Sequence, residues 1–347
     1  MTLSARLAFG LLGLTAAGAI RAADPEVTIL PAQEIRFPTE AGKYYQLESS
    51  PADSDQWQAE GLPVLGTGEV HFVQRRAQEN LTHFRVRQLT HQWVPVWADE
   101  FEGDRLDPAK WSREENGYGG GNNERQFYST DPKYAYVKDG MLHIAAYRDP
   151  HTTVDGKTQP YSSGRIRTLE RGDWQYGRFE IRAKVPGGEG IWPAVWMLPS
   201  TDRYGTWAAS GEIDILESRG SNVHEALGTL HFGGKWPNNR FKGETYRFPK
   251  ANAAEDFHVY ALEWEADEIR WFVDGELYQT RKKEEWDSES APDNPRAPFD
   301  QPFHLIINLA VDGGFFAGTD QKSDRLPDSE FPQVFLLDYV RVFQWAE

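Results

Sequence analysis

The chain has 347 residues, no cysteine and a formal net charge of −16. Its length suits one large domain plus a small one, and the missing cysteines exclude disulfides, a thiolate nucleophile, cysteine-ligated zinc, iron–sulfur clusters and a lipid anchor on an N-terminal cysteine. The acidic balance excludes nucleic acid and anionic lipid as expected partners, because a phosphate backbone needs a basic footprint.

Residues 1–23 read as a signal peptide. Arg6 supplies the positive start, residues 7–20 form a short apolar run, and the small residues Ala22 and Ala23 precede Asp24 and Pro25. Arg21 interrupts the cleavage pattern, and an N-terminal membrane anchor is the alternative. A secreted or periplasmic location and a monomer are expected. Residues 24–91 read as a small β-sandwich, with short strands at 27–30, 44–47, 69–73 and 83–87 between Pro, Gly, Ser and Asp clusters. It resembles the immunoglobulin-like modules appended to secreted bacterial enzymes. A spacer and a carbohydrate-binding module are both open readings.

Residues 92–347 read as one strand-rich domain. Residues 141–146 alternate poorly, as a strand buried on both faces would. In residues 176–185 the pattern is regular: Phe179, Ile181, Ala183 and Val185 face one way, Glu180, Arg182 and Lys184 the other. Residues 259–281 hold two or three strands, two of them joined by a primed turn at Asp274-Gly275. Strands at 303–310 and 334–343 complete the set. There is no amphipathic helix longer than two turns and no repeat. Short strands without βα alternation predict an all-β fold, an antiparallel sandwich.

The most informative segment is Gly211 to Glu217. On a strand Glu212 and Asp214 share one face, and Ile213 and Ile215 the other. Glu217 breaks the parity and would point into the core, where an unpaired carboxylate is expensive. Either the strand ends early, or a β-bulge near Ile215-Leu216 returns Glu217 to the face of Glu212. With a bulge the two Glu stand four steps apart, about 13 Å between Cα atoms at about 3.3 Å per step. Inward-leaning side chains on a curved sheet would bring the carboxyls to roughly 5 Å, which suits a retaining glycosidase (about 5–5.5 Å) over an inverting one (about 6.5–9.5 Å). Asp214, between them, would hydrogen-bond to one Glu and raise a neighbour's pKa. An ordinary strand with a solvated acidic face is an equally open reading of this segment alone. A metal site is a third, weakened by the lack of further acids or His at ligand spacing.

Aromatic residues flank this strand. The chain has 13 Trp, and Trp192, Trp196 and Trp207 lie within 25 residues of the acidic segment. Their rings suit the flat apolar faces of sugars. With these flanks the chain resembles glycoside hydrolase family 16, and within it the laminarinases, or endo-1,3-β-glucanases. The resemblance covers about residues 95–347. It rests on Trp-Ala-Asp-Glu-Phe-Glu-Gly at 97–103, Gly-Gly-Gly-Asn-Asn-Glu-Arg-Gln-Phe-Tyr at 119–128 and Tyr-Ser-Ser-Gly-Arg-Ile at 161–166. Trp-Pro-Ala-Val-Trp-Met at 192–197 and Glu-Ile-Asp-Ile-Leu-Glu at 212–217 follow. So do His-Phe-Gly-Gly at 231–234, Asn-Leu-Ala-Val at 308–311 and Asp-Tyr-Val-Arg-Val at 338–342, all in family order.

The resemblance implies a concanavalin-like β-jelly roll of two curved antiparallel sheets, with a cleft on the concave face. It implies Glu212 as nucleophile, Glu217 as acid/base and Asp214 assisting both. The five-residue spacing resembles the bulged laminarinase branch, not the lichenase branch. Asn122, Arg165, Trp192, Trp196, Trp207, His231 and Asn308 match substrate-cleft positions. His231 could instead be a core residue, Arg165 a sheet-surface ion pair and Asn308 a strand-end cap. The implied substrate is a β-1,3-glucan, or a mixed-linkage β-1,3-1,4-glucan. A charged galactan, transglycosylation and a non-catalytic glucan-binding protein are the rivals. No cofactor is required for the chemistry. A structural calcium on the carbonyls of Glu100 and Gly140 and the carboxylate of Asp338 is implied, with an Asp338–Arg341 pair as the alternative. The chain departs from many laminarinases at Gly313-Gly314-Phe315-Phe316, where they carry a Trp after the glycine pair.

Overall fold

The computed structural model describes residues 32–346, except 42, 52, 53, 55, 62, 77–80, 90, 91, 249–255 and 318–326. The expected signal peptide and the strand expected at 27–30 lie outside the described residues. Two eight-stranded sheets dominate. One runs, edge to edge, through Asn239–Arg247, Glu225–Gly233, Glu212–Glu217, Ile191–Pro199, Phe303–Val311, Arg165–Arg167 and Ser112–Arg113, with Asp173–Trp174 also pairing on Phe303–Val311. The other runs through Ala135–Lys138, Met141–Ala146, Gln333–Ala346, Gly177–Lys184, His258–Trp264, Glu268–Val273 and Glu276–Lys282, with Gln92–Asp99 on the long strand Gln333–Ala346. Every pairing within the two sheets is antiparallel. Among the described residues there is no α-helix, only short 3-10 turns.

The core lies between the sheets. Gly177–Lys184 alternates buried and half-buried along its whole length, as its sequence predicts. Phe179, Ile181 and Ala183 meet Ile213, Leu216 and Ile307 of the opposite sheet in one apolar cluster. Each such side chain contributes about 1.5–3 kcal/mol when fully buried. The stretch 259–281 resolves into three strands, and Asp274 and Gly275 both have positive φ, 51° and 83°, as a primed hairpin turn requires. Trp271 is fully buried, and its Nε1 donates to the backbone oxygen of Asp214 at 2.8 Å. The second sheet thereby holds the acidic strand from behind.

At the N-terminal end Ala32–Pro38 pairs with Val70–Arg76, and Tyr44–Pro51 pairs with Leu81–Leu89, Gln58–Ala59 and Val64–Leu65. The sheet around Tyr44–Pro51 touches a large one. Tyr44 and Leu89 pack with Val94 and Ala346, and Tyr44 Oη donates to Gln344 Oε1 at 2.7 Å.

The carboxylates of Asp338 and Glu100, at the expected calcium position, are both in ion pairs. Arg182 Nη1 donates to Asp338 Oδ2 at 2.6 Å, and Arg341 forks onto both oxygens of Glu100 at 2.8 Å. Asp338 therefore pairs with Arg182, not Arg341. The register explains this: Arg182 faces Tyr339 and Ala183 faces Leu337, so Asp338 is the extra residue of a bulge beside Arg182. Its carboxylate is already paired with a guanidinium, which an ion bound there would have to displace.

Candidate active site

The acidic strand carries a bulge, one of the two outcomes that its parity break allows. On one side Val195 pairs with Leu216 and Trp196 with Asp214, so Ile215 is the extra residue. On the other side Glu212 faces His231 and Glu217 faces Leu227, four positions apart on that strand. Ile213, Ile215 and Leu216 are all buried, and the two Glu are half-buried on the opposite face. The strand starts abruptly at Gly211, whose φ of +88° only glycine adopts easily, and a Cβ there would lie 3.0 Å from Phe299.

Each Glu has its own indole donor. Trp207 Nε1 donates to Glu212 Oε2 at 2.7 Å, and Trp192 Nε1 donates to Glu217 Oε1 at 3.0 Å. His231, on the neighbouring strand, places Nε2 3.7 Å from Glu212 and 3.3 Å from Asp214. Asp214 is only 3% exposed. Its register partner is Thr229, and His231, the partner of Glu212, reaches it diagonally across the strand pair. The His231 contact lacks hydrogen-bond alignment, and Asp214 Oδ2 has no hydrogen-bond partner among the described residues.

The charges act on one another at close range. Burial and the nearby Asp214 push Glu212 up to about 8, against His231 and the Trp207 N–H, which favour its anion. Burial and Asp214 likewise push Glu217 well above the usual carboxyl range. Burial alone would lower His231, but Glu212 and Asp214 push it up to about 9. Two Glu in one buried cluster do not both ionise near neutral pH. His231 stands within 4 Å of Glu212 but acts on Glu217 only from farther away, where the close contact is the Trp192 N–H, so the anion is favoured at Glu212 and the proton at Glu217. Replacing His231 by Asn removes that cation. The Glu212 pKa should then rise, and the acidic limb of the kcat/KM–pH profile should move to higher pH. An unmoved limb would show that His231 does not support the Glu212 anion.

The remaining expected residues have varied placements. Trp207 is 38% exposed beside Glu212. Trp196 is half-buried; its Nε1 donates to Asn308 Oδ1 at 2.7 Å, and Arg165 lies 4.9 Å from its ring. Asn308 sits in the middle of a strand, not at its end, and donates onward to Tyr128 Oη at 3.0 Å. Its amide serves Trp196 and Tyr128, which makes it a support. Arg165 is buried and paired with Glu114 at 2.6 Å, and Arg167 shares that Glu at 2.7 Å. Both lie along a cavity of about 490 Å³ that continues past Trp207. Asn122 is exposed on its loop, with its carbonyl accepting from Gly314 N at 2.6 Å. Trp192 is only 9% exposed, with Phe315 stacked on it at 4.4 Å. It is a partner of Glu217 more than an open platform for sugar.

Sequence reading missed Glu114, Tyr128, Trp236 and Phe241. Glu114 directly follows the short strand Ser112–Arg113, and Tyr128 ends the separate short strand Gln126–Tyr128. Trp236 and Phe241 are each 70% exposed, and Phe241 lies opposite His231 in register with its ring 5.9 Å away. No local pattern marks an edge-strand Phe as part of a site.

The chain matches the family model described as glycosyl hydrolases family 16 over residues 122–325. It is 45% identical over 261 residues to a glucan endo-1,3-beta-glucosidase A1 of Niallia circulans, a match covering 72% of this chain and 37% of that protein. It is 44% identical to a beta-glucanase of Rhodothermus marinus, covering 74% of this chain and 86% of that one. The chain belongs to glycoside hydrolase family 16. Its fold agrees with the solved catalytic domain of an endo-1,3-beta-glucanase (laminarinase) from Thermotoga petrophila, with a TM-score of 0.65 and 33% identity, covering 74% of this chain and 100% of that one. The family 16 assignment carries the two-sheet jelly roll with it.

One feature of this family 16 site corrects the sequence reading. Glu212, Asp214 and His231 bring ligand atoms within 4.8 Å of one another, a spacing that a metal ion could use. The sequence hid this, because His231 lies on the next strand and is brought to Glu212 only by pairing. The triad touches the same Glu212 that the chemistry below uses as an anion, so a bound metal would compete with substrate.

Proposed function

We propose that this family 16 chain is an endo-acting retaining hydrolase of β-1,3-glucan, with mixed-linkage β-1,3-1,4-glucan as a second substrate. The observation that carries it is the bulged strand, which sets two Glu on one face with unequal surroundings. Glu212, held as the anion by His231 and Trp207, attacks the anomeric carbon. Glu217 gives its proton to the departing oxygen. Water then attacks the glycosyl–Glu212 ester, Glu217 takes the proton of that water, and the Glu212 carboxylate is released. Asp214 raises Glu217 and helps keep it protonated. A neutral substrate fits the site, because Arg165 and Arg167 are already spent on Glu114 and leave little positive charge for a sulfated galactan. The relatives named above for 1,3-glucan hydrolysis support the linkage.

A panel of laminarin, lichenan, agarose and carrageenan with product sizing tests the substrate. Release of reducing ends from laminarin as a ladder of oligosaccharides is expected; activity confined to the galactans would refute it. NMR of early products should show the β-anomer first. The α-anomer first would mean inversion and a wider carboxyl gap.

Export, a monomeric state and an ancillary role for residues 24–91 beside a catalytic domain at 92–347 complete the reading. An apolar N-terminal run supports the first. Intact mass of secreted protein and light scattering test the first two. A calcium ion at Glu100, Gly140 and Asp338 would have to displace Arg182, so chelation by EDTA should leave the melting temperature unchanged.

A further inference from the structure

Phe315 lies outside the reacting groups, yet it closes a circuit around one of them. Its loop is fixed on one side by Asn122. Gly314 N donates to Asn122 O at 2.6 Å, and Gly313, at φ +108°, comes so close that a Cβ would lie 3.1 Å from the same oxygen. On the other side Arg219 Nε donates to Phe315 O at 3.2 Å, with the guanidinium carbon 4.0 Å from the ring centroid. The ring stacks on Trp192 at 4.4 Å and 19°. Trp192 in turn donates to Glu217. Arg219 is two residues beyond Glu217, so the circuit returns along the backbone to its start.

Two groups this near one ring centroid cannot share a face. Both faces of Phe315 are therefore covered, and the ring has none left to stack on a sugar. Among the described residues the Trp192 indole is the one hydrogen-bond donor to the Glu217 carboxyl. An indole can swing about two side-chain torsions. Trp192 also packs against Ala194, Ala310 and Phe316, and Phe315 limits its movement over the ring face.

We infer that Arg219 and Phe315 are positioning residues of the acid/base: they clamp the Trp192 indole so that its N–H holds the Glu217 carboxyl where the proton must be delivered. The inference rests on Glu217 being the acid/base. Misplacing a reacting group by about 1 Å can cost about 100-fold in rate, and a positioned acid must come within about 2.6–3.2 Å of the oxygen it protonates. The clamp acts on proton delivery, so its loss should show only where the leaving group needs a proton.

The test compares kcat/KM on two substrates for Phe315→Ala, Arg219→Met, Phe315→Tyr and Glu217→Gln. One substrate is laminaritetraose, whose leaving sugar needs the proton. The other is a dinitrophenyl β-glycoside of laminaribiose, which departs as a stable phenolate without one. Phe315→Ala should lose about 10- to 100-fold on the first, mostly in kcat, and less than about 3-fold on the second. Phe315→Tyr, which keeps the stack, should restore both. Arg219→Met should show the same split in smaller degree, and carries the test alone if Phe315→Ala does not fold. Equal losses on both substrates, or none on either, would overturn the clamp. If Glu217→Gln itself lacked the split, the acid/base role would fall instead.

Discussion

Replacing Glu212 by Gln is expected to abolish laminarin hydrolysis, with a loss of about 10⁴-fold or more in kcat, while the protein becomes more resistant to heat. The first effect follows from the geometry. Gln keeps the size of the side chain and can still accept from Trp207, but it cannot form a glycosyl ester as the carboxylate does. The second follows from the crowding of acids. In the fold Glu212 is pushed up to about 8 by burial and Asp214, whereas an unfolded chain has a Glu near the ordinary value of about 4.3. Between those values the folded state holds the proton more tightly than the unfolded one. Its contribution to stability is therefore complete below about pH 4.3 and is lost as the pH rises through about 8. Gln has no such loss. The gap in melting temperature between variant and wild type should open in favour of the variant from about pH 4.3 upward. Activity and thermal melts over pH 4 to 9 check both halves. Wild-type activity in the variant would refute the nucleophile, and a lower melting temperature at pH 8 would refute the cost of the buried anion.

What was legible in the sequence follows local rules, and what was hidden follows long-range pairing. Alternation in Gly177–Lys184, the Asp274-Gly275 turn and the parity break at Glu217 are local rules of strand geometry, so they can be read before any fold is known. An unpaired Glu217 in the core would be too expensive, which leaves an early strand end or a bulge, and the structure has the bulge. What could not be read comes from pairing between distant segments. His231 reaches Glu212 because Glu225–Gly233 lies beside the acidic strand. Glu114 pairs with Arg165 across strands and loops far apart in the chain. The roles of Trp192 and Asn308 were also hidden. Both match sugar-cleft positions, but the structure turns the Trp192 N–H onto Glu217 and divides the Asn308 amide between Trp196 and Tyr128. A sequence shows which side chains can hydrogen-bond, but their partners depend on which strands are neighbours.

Glu217→Gln should separate the two halves of the reaction. The nucleophile remains, so a substrate that leaves as a phenolate still glycosylates Glu212 at nearly the wild-type kcat/KM. Laminarin, whose leaving sugar must be protonated, should lose about 10²- to 10⁴-fold, the usual contribution of a positioned acid or base. Hydrolysis of the ester also needs Glu217, now as base, so the intermediate should accumulate and show as a burst of phenolate followed by slow turnover. Azide needs no base to attack. It should speed turnover of the activated substrate and give a β-glycosyl azide, since a second displacement on the same carbon restores the starting configuration. The basic limb of the wild-type profile, set by loss of the Glu217 proton, should also disappear. A variant with equal losses on both substrates, no burst and no azide product would place the acid/base elsewhere. The unequal surroundings of the two Glu, a cation beside Glu212 and only an indole beside Glu217, would then have another cause.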